Sequence, residues 1–178
     1  MYRLTVLKLA TLALLALTAC GAPKPEIRQA YRNQGQPIYS NAVLDPARLQ
    51  GDWHQVASFA ASPGGCKPGG VRIGAPQGAS IPLQADLCLG GARQRFAGQA
   101  ALPVPGRLIP ETATPQGITQ PWWIIWADVD LRTLVIGTPT GEMGFILERS
   151  GRLPADRLTA AREILDWNGY DLGRLQLF

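Results

Sequence analysis

The chain has 178 residues, enough for one ordinary domain and short for a two-domain enzyme. Hydrophobic residues make up 46% of it, which supports a core and excludes wholesale disorder; 20 glycines and 15 prolines suit a turn-rich β protein better than a helix bundle. The formal net charge of +4 comes from 17 basic and 13 acidic residues, and its placement argues against nucleic-acid binding.

Residues 1–8 hold Arg3 and Lys8, and residues 9–19 form an almost purely apolar run. That run is too short for a membrane span, which needs about 20 residues, and reads as the core of a signal peptide. It ends Leu17-Thr18-Ala19-Cys20, which resembles the bacterial lipobox. The resemblance implies removal of residues 1–19 and a lipid on Cys20, the new N-terminus. An acyl anchor holds a protein on a membrane without a spanning helix when several chains act together. Gly21 stands where an Asp would signal retention at the inner membrane, so the expected location is the outer membrane, facing the periplasm. Residues 20–43, with Pro23, Pro25 and Pro37, read as a tether followed by an extended arm, and residues 44–178 as the folded domain. Arg3 and Lys8 leave with the signal peptide. Lys24, Arg28 and Arg32 against Glu26 carry the whole remaining surplus, and residues 44–178 hold 12 basic and 12 acidic side chains. A neutral domain offers no footprint for a polyanion.

The predicted elements run in order along the chain. Asp45 and Pro46 mark one short helical turn ending at Leu49, with Asp45 as cap. Gly51–Phe59 alternates as a strand, with Trp53, Gln55, Ala57 and Phe59 on one face. Residues 60–70 form a Gly/Pro loop. Strands are expected over 71–73, 81–89, 92–102 and Arg107–Pro110, and then a turn-rich stretch up to Pro121. The middle, residues 60–121, is rich in Pro and Gly, and a shortened or open stretch of wall is expected there. Trp122–Ala127, WWIIWA, favours a buried strand by its aromatic and β-branched content. Strands over 131–137 and 144–149 complete a meander with short connections. One helix starts near Pro154 and ends before Gly169, with Leu158, Ala161 and Leu165 on its apolar face. Residues 172–178 read as a last strand.

With Cys20 assigned to the anchor, Cys66 and Cys88 remain. An even pair in an oxidising compartment most often forms a disulfide. The rival, a nucleophilic thiol, needs a base nearby, and the sole histidine, His54, falls on the strand face opposite Trp53 and hence outside. No metal-ligand spacing, phosphate loop or Ser-His-Asp order is present, and no cofactor is implied.

Antiparallel meanders of this length commonly close into barrels, which removes exposed edges. Gly51-Asp52-Trp53, preceded by the helical turn, and Arg149 near the end of the eighth strand resemble the lipocalin family, as does the trailing order of helix, Asn168-Gly169-Tyr170-Asp171 and strand. The chain looks like the bacterial outer-membrane lipoprotein lipocalins and the apolipoprotein D-like proteins, over residues 44–178. Ala127-Asp128-Val129-Asp130 stands where many members carry a TDY-like motif. The resemblance implies an eight-stranded up-and-down barrel in which Arg149 lies across Trp53 at the closed end. A planar guanidinium stacks well on indole, worth roughly 0.5–2 kcal/mol.

If Trp53 and Arg149 mark the base, strict alternation turns Ala57, Phe59, Phe145 and Leu147 inward. Either Trp122, Ile124 and Trp126 or Trp123 and Ile125 join them; the first set is favoured because it places two indoles in the calyx. That lining suits a fatty acid, a lysophospholipid or a similar hydrophobe. The alternatives are a filled barrel serving as a structural or interaction module of the envelope and, least favoured, a lipocalin-type isomerase.

Overall fold

A computed structural model describes residues 29–178; the expected signal peptide, Cys20 and the first part of the expected tether, with Lys24, Glu26 and Arg28, lie outside the described residues. The described strands are β1 (Gly51–Phe59), β2 (Gly70–Ile73), β3 (Ser80–Leu89), β4 (Ala92–Ala101), β5 (Arg107–Pro110), β6 (Trp122–Ala127), β7 (Thr133–Gly137), β8 (Gly144–Glu148) and β9 (Leu175–Leu177). One α-helix, α1 (Ala155–Trp167), precedes β9, and 3-10 turns cover Pro46–Leu49, Gly117–Thr119 and Leu172–Arg174.

Every neighbouring pair from β1 to β8 is antiparallel, and β1 also pairs with β8, so eight strands close on themselves as expected. Short turns favour this order, since antiparallel neighbours need only a few linking residues. β2 is short and runs beside β1 only along Gly51 to His54. β9 takes over the same edge of β1 along Ala57 to Phe59 and so protects it from outside the barrel. The shortened wall also appears where predicted: β5 pairs with Ala100 and Ala101 alone, leaving the rest of β4 without a strand on that side.

The first 3-10 turn forms as its sequence predicts. Pro46 sits at its start, and the Asp45 carboxylate accepts from the Ala47 N–H. This turn, the start of β1 and the β6–β7 turn mark one end of the barrel, the base. At that turn the Asp128 carboxylate accepts from the Arg132 and Thr133 amides, which lets Leu131 adopt a positive φ of 52°. The opposite end, the mouth, carries the loop after β1, the β3–β4 hairpin, the β5–β6 loop and the β7–β8 loop.

Two apolar clusters result. One fills the barrel and includes Trp53, Leu83, Leu87, Trp122, Ile124, Ile136, Phe145 and Leu147. The other lies between the outer wall and α1 and includes Val56, Ala57, Phe59, Val135, Ile146, Ala161 and Leu165. Helix α1 runs from base to mouth. Near its start Arg157 meets Glu148 and Thr133, and beyond its end Tyr170 reaches Thr138 and Met143.

Residues 29–43, read from sequence as tether and arm, pack against the barrel: Tyr31 is buried within this second cluster and Ile38 rests against it. Arg32, counted there as tether charge, is buried and donates to the carbonyls of Asn168, Pro139 and Gln36. A guanidinium with three carbonyl acceptors loses little on leaving water, which is why a cation is tolerated here.

Candidate functional site

The base is built around three residues. The Arg149 guanidinium lies 3.8 Å from the centre of the Trp53 ring. It also donates to the carbonyls of Gln50 at 2.8 Å and Arg48 at 3.0 Å, so it caps the end of the first 3-10 turn. Trp53 gives its indole N–H to the Leu49 carbonyl at 2.9 Å. Gly51 has φ of 119°, and a Cβ there would come within 2.5 Å of the Arg149 Nη1, so only glycine fits beneath the guanidinium. Burial holds the Arg149 guanidinium below its usual pKa, partly opposed by the Asp52 carboxylate.

Of the side chains expected in the calyx, Trp122, Ile124, Phe145 and Leu147 point into the barrel. Ala57, Phe59 and Trp126 do not; they belong to the outer cluster beneath α1. The physical reason is a pair of β-bulges. The β1–β8 register slips between Gln55 and Ala57, and the β6–β7 register slips between Ile124 and Trp126. Each bulge inserts one residue and reverses the inward parity of the strand beyond it. Ser58, opposite Phe145, therefore takes the inward place expected for Ala57 and Phe59, and Ala127, opposite Leu134, the place expected for Trp126. Gln55 is buried too; it donates to the Cys88 carbonyl and accepts from the Cys88 and Gly69 amides, closing the gap beside the start of β2.

The mouth is closed by a residue that sequence reasoning passed over. Ile118, in the middle of the Gly117–Thr119 turn, is buried and joins the interior cluster. Its carbonyl accepts the Trp122 indole N–H at 2.7 Å, and its amide donates to the Gln94 side chain at 2.8 Å. Thr119 and Gln116 cap the turn reciprocally. The only sequence signal was one apolar residue in the polar stretch Thr114 to Gln120. A concavity of about 830 Å³ lies over this plug, lined by hydrogen-bonding side chains, among them Gln94, Thr112, Gln116 and Thr119, together with the charged Arg95 and Glu142.

Cys66 and Cys88 form a disulfide, with Cα atoms 5.5 Å apart, tying the loop after β1 to the end of β3. His54 is exposed on the outer wall, beside a concavity of about 640 Å³ whose charges are engaged in the pairs Arg72–Asp52, Arg93–Asp86 and Arg95–Asp86. Among the described residues no group of three or more His, Cys, Asp or Glu is placed to hold a metal ion. Among them, too, no helix is long and apolar enough to cross a membrane.

A closed eight-stranded antiparallel barrel, locked at one end by a Trp–Arg stack and flanked by one helix, defines a lipocalin-type β-barrel protein. Residues 90–178, half of the chain, match the family model of the lipocalin-like domain, and the chain belongs to that family. Among solved structures it is similar to the siderocalin Ex-FABP, described as functioning through dual ligand specificities. The TM-score is 0.54 at 13% identity, over 74% of this chain and 89% of that one, a likeness of fold. No curated protein matches.

Proposed function

We propose that the protein is a lipid-anchored, periplasm-facing lipocalin of the outer membrane that binds a small hydrophobic ligand of the fatty acid or lysophospholipid kind, rather than an enzyme. The observation that carries this reading is the mouth: an interior that the strand register lines with apolar side chains, apart from Gln55 and Ser58, stands behind one aliphatic plug, Ile118, beneath a polar rim whose amides and hydroxyls are joined by one cation, Arg95, and one anion, Glu142. The plug and its neighbours fill the upper barrel, so an acyl chain enters by taking their place. Exposing Ile118 costs about 1.5–3 kcal/mol, and each CH₂ buried returns about 0.8 kcal/mol. Four methylenes therefore offset Ile118, and a chain long enough to offset the displaced neighbours as well supplies net binding before ordering costs. The amide and hydroxyl groups of the rim suit the polar head of such a ligand.

A second reading, a filled barrel that serves as a structural or interaction module, is favoured by one specific contact. Trp122 and Phe145 meet edge to face at 5.1 Å in the barrel, both fully buried, as core side chains do. Native mass spectrometry of delipidated protein reloaded with palmitate or lysophospholipid separates the two. A 1:1 adduct, with displacement of a fluorescent fatty acid, supports the container; a folded protein that takes up neither supports the module.

A further inference from the structure

We propose that the barrel docks mouth-down on the bilayer that holds its anchor, with Trp167 as the interfacial contact. This rests on the reading of Cys20 as lipidated. The described chain begins at the mouth: Gln29 and Tyr31 line the concavity over Ile118. Only residues 21–28 separate Gln29 from Cys20. At about 3.3–3.6 Å per residue that stretch spans at most about 30 Å, so the mouth cannot leave the neighbourhood of the membrane surface.

The same end carries the exposed aromatic. Helix α1 ends at the mouth, where Gln36 donates to the Trp167 carbonyl and the Asn33 amide to that of Gly169. Trp167 is 73% exposed, whereas Trp53 and Trp122 are buried and Trp123 and Trp126 are partly buried beside α1. Tyr39, 67% exposed, lies alongside, its amide bonded to the Asn168 side chain. Indole rings favour the headgroup region because an apolar body and one N–H donor are both satisfied there. The charges around the mouth are mixed in sign, with Lys67 exposed, Arg93 and Arg95 tied to Asp86 and Glu142 on the rim, so the contact is apolar rather than electrostatic. Ligand then passes between leaflet and barrel without crossing bulk water.

The test uses the full mature lipoprotein, with its native N-terminus, in phosphatidylethanolamine/phosphatidylglycerol vesicles containing lipids brominated near the headgroup or deep in the chain. The difference in emission between wild type and Trp167→Phe isolates Trp167. Shallow bromines are expected to quench it at least twofold more than deep ones, equally at 0.15 and 0.5 M salt. Acylated protein that floats with the vesicles while Trp167 stays unquenched overturns the docking and leaves the anchor standing. So does Trp167 shielded instead by a second copy of the chain. Purified protein whose mass shows no acyl group on Cys20 overturns the anchor and the docking together.

Discussion

Trp122 donates its indole N–H to the carbonyl of Ile118, four residues earlier, and Trp53 donates in the same way to Leu49, also four residues earlier. Both ends of the barrel are thus closed by one device: a 3-10 turn before a strand, a buried aliphatic residue on the turn, and a tryptophan near the strand's start that holds the turn down. The ends differ in what is added. At the base Arg149 stacks on Trp53 and takes the carbonyls of Arg48 and Gln50; at the mouth the turn is held from β4 by the neutral side chain of Gln94. The base therefore carries a stacked cation that the turn at the mouth lacks.

Removing the lock is expected to be costly without changing the ligand. Arg149→Ala loses the ring contact, worth about 0.5–2 kcal/mol, and leaves two carbonyls to find water. A total loss of about 2–3 kcal/mol is expected, read as a lower urea midpoint at unchanged slope. Arg149→Lys restores a cation but not the planar fork, and recovers less than half of the loss. A midpoint within error of wild type in Arg149→Ala refutes the lock.

Weakening the plug should separate stability from binding. Ile118→Ala destabilises by about 2–4 kcal/mol through lost burial and the space left behind. It also removes the side chain that, in the proposed function, an acyl chain displaces, so stopped-flow association of a fluorescent fatty acid is expected to quicken several-fold. Ile118→Trp is expected to slow it. Unchanged rates in both variants mean that ligand does not enter by the mouth.

Much of this arrangement is legible in the sequence. Gly51, Trp53 and Arg149 mark the base through their resemblance to the lipocalin pattern, and the structure shows why the pattern takes glycine, indole and guanidinium there. The meander, the helix and the disulfide can be read from turn residues, periodicity and cysteine count. The lining is legible only in part. WWIIWA is apolar at every position because β6 is buried on both faces, by the interior and by α1, so alternation carries no sign there. A bulge inserts one residue without any required residue type, and Ala57, Phe59 and Trp126 land on the outer face for that reason alone. Ile118 is hidden because its burial depends on the fold of the surrounding loop, and Arg32 because its three acceptors come from segments distant in sequence or in a turn.

Loss of the disulfide should act through the unfolded chain. Cys66 and Cys88 are 22 positions apart, and closing a loop of that size contributes roughly 3 kcal/mol in the chain-entropy model. The double variant Cys66→Ser/Cys88→Ser is expected to keep the far-ultraviolet spectrum of the barrel and to unfold at a lower denaturant concentration by about that free energy. The same shift is expected on adding reductant to wild type. A spectrum lacking the β signal would mean that the bridge is needed to form the fold.

The clip between helix and barrel base is an ion pair with little access to water: Arg157 donates to Glu148 at 2.9 Å, with side-chain exposures of 14% and 2%. Glu148 also accepts from the Ser150 hydroxyl. Breaking one side of such a pair leaves a buried charge, at a cost of about 3–5 kcal/mol. Arg157→Ala should therefore destabilise more than the double variant Arg157→Leu/Glu148→Leu, in which no charge is stranded. A double-mutant cycle measured by urea unfolding checks the order, and the reverse order refutes the clip.

Alkaline pH should loosen the mouth end of the helix through Tyr170. Burial pushes its phenol up from 10.0 to about 12, against the smaller opposing influence of the hydrogen bonds to Thr138 and of the Arg32 charge. The hydroxyl accepts from the Thr138 amide at 2.9 Å and donates to the Met143 carbonyl at 3.0 Å, so the proton it keeps is used. The folded state holds this proton more tightly than the unfolded chain, so the contribution to stability is complete below pH 10 and is lost between pH 10 and about 12. Tyr31 is raised in the same direction by burial and adds to the fall. Unfolding free energy measured from pH 8 to 12 should stay flat and then drop in wild type. In Tyr170→Phe the drop should be smaller, from a lower starting stability, because the Thr138 amide has lost its acceptor. Equal slopes in the two proteins would place the alkaline transition elsewhere in the molecule.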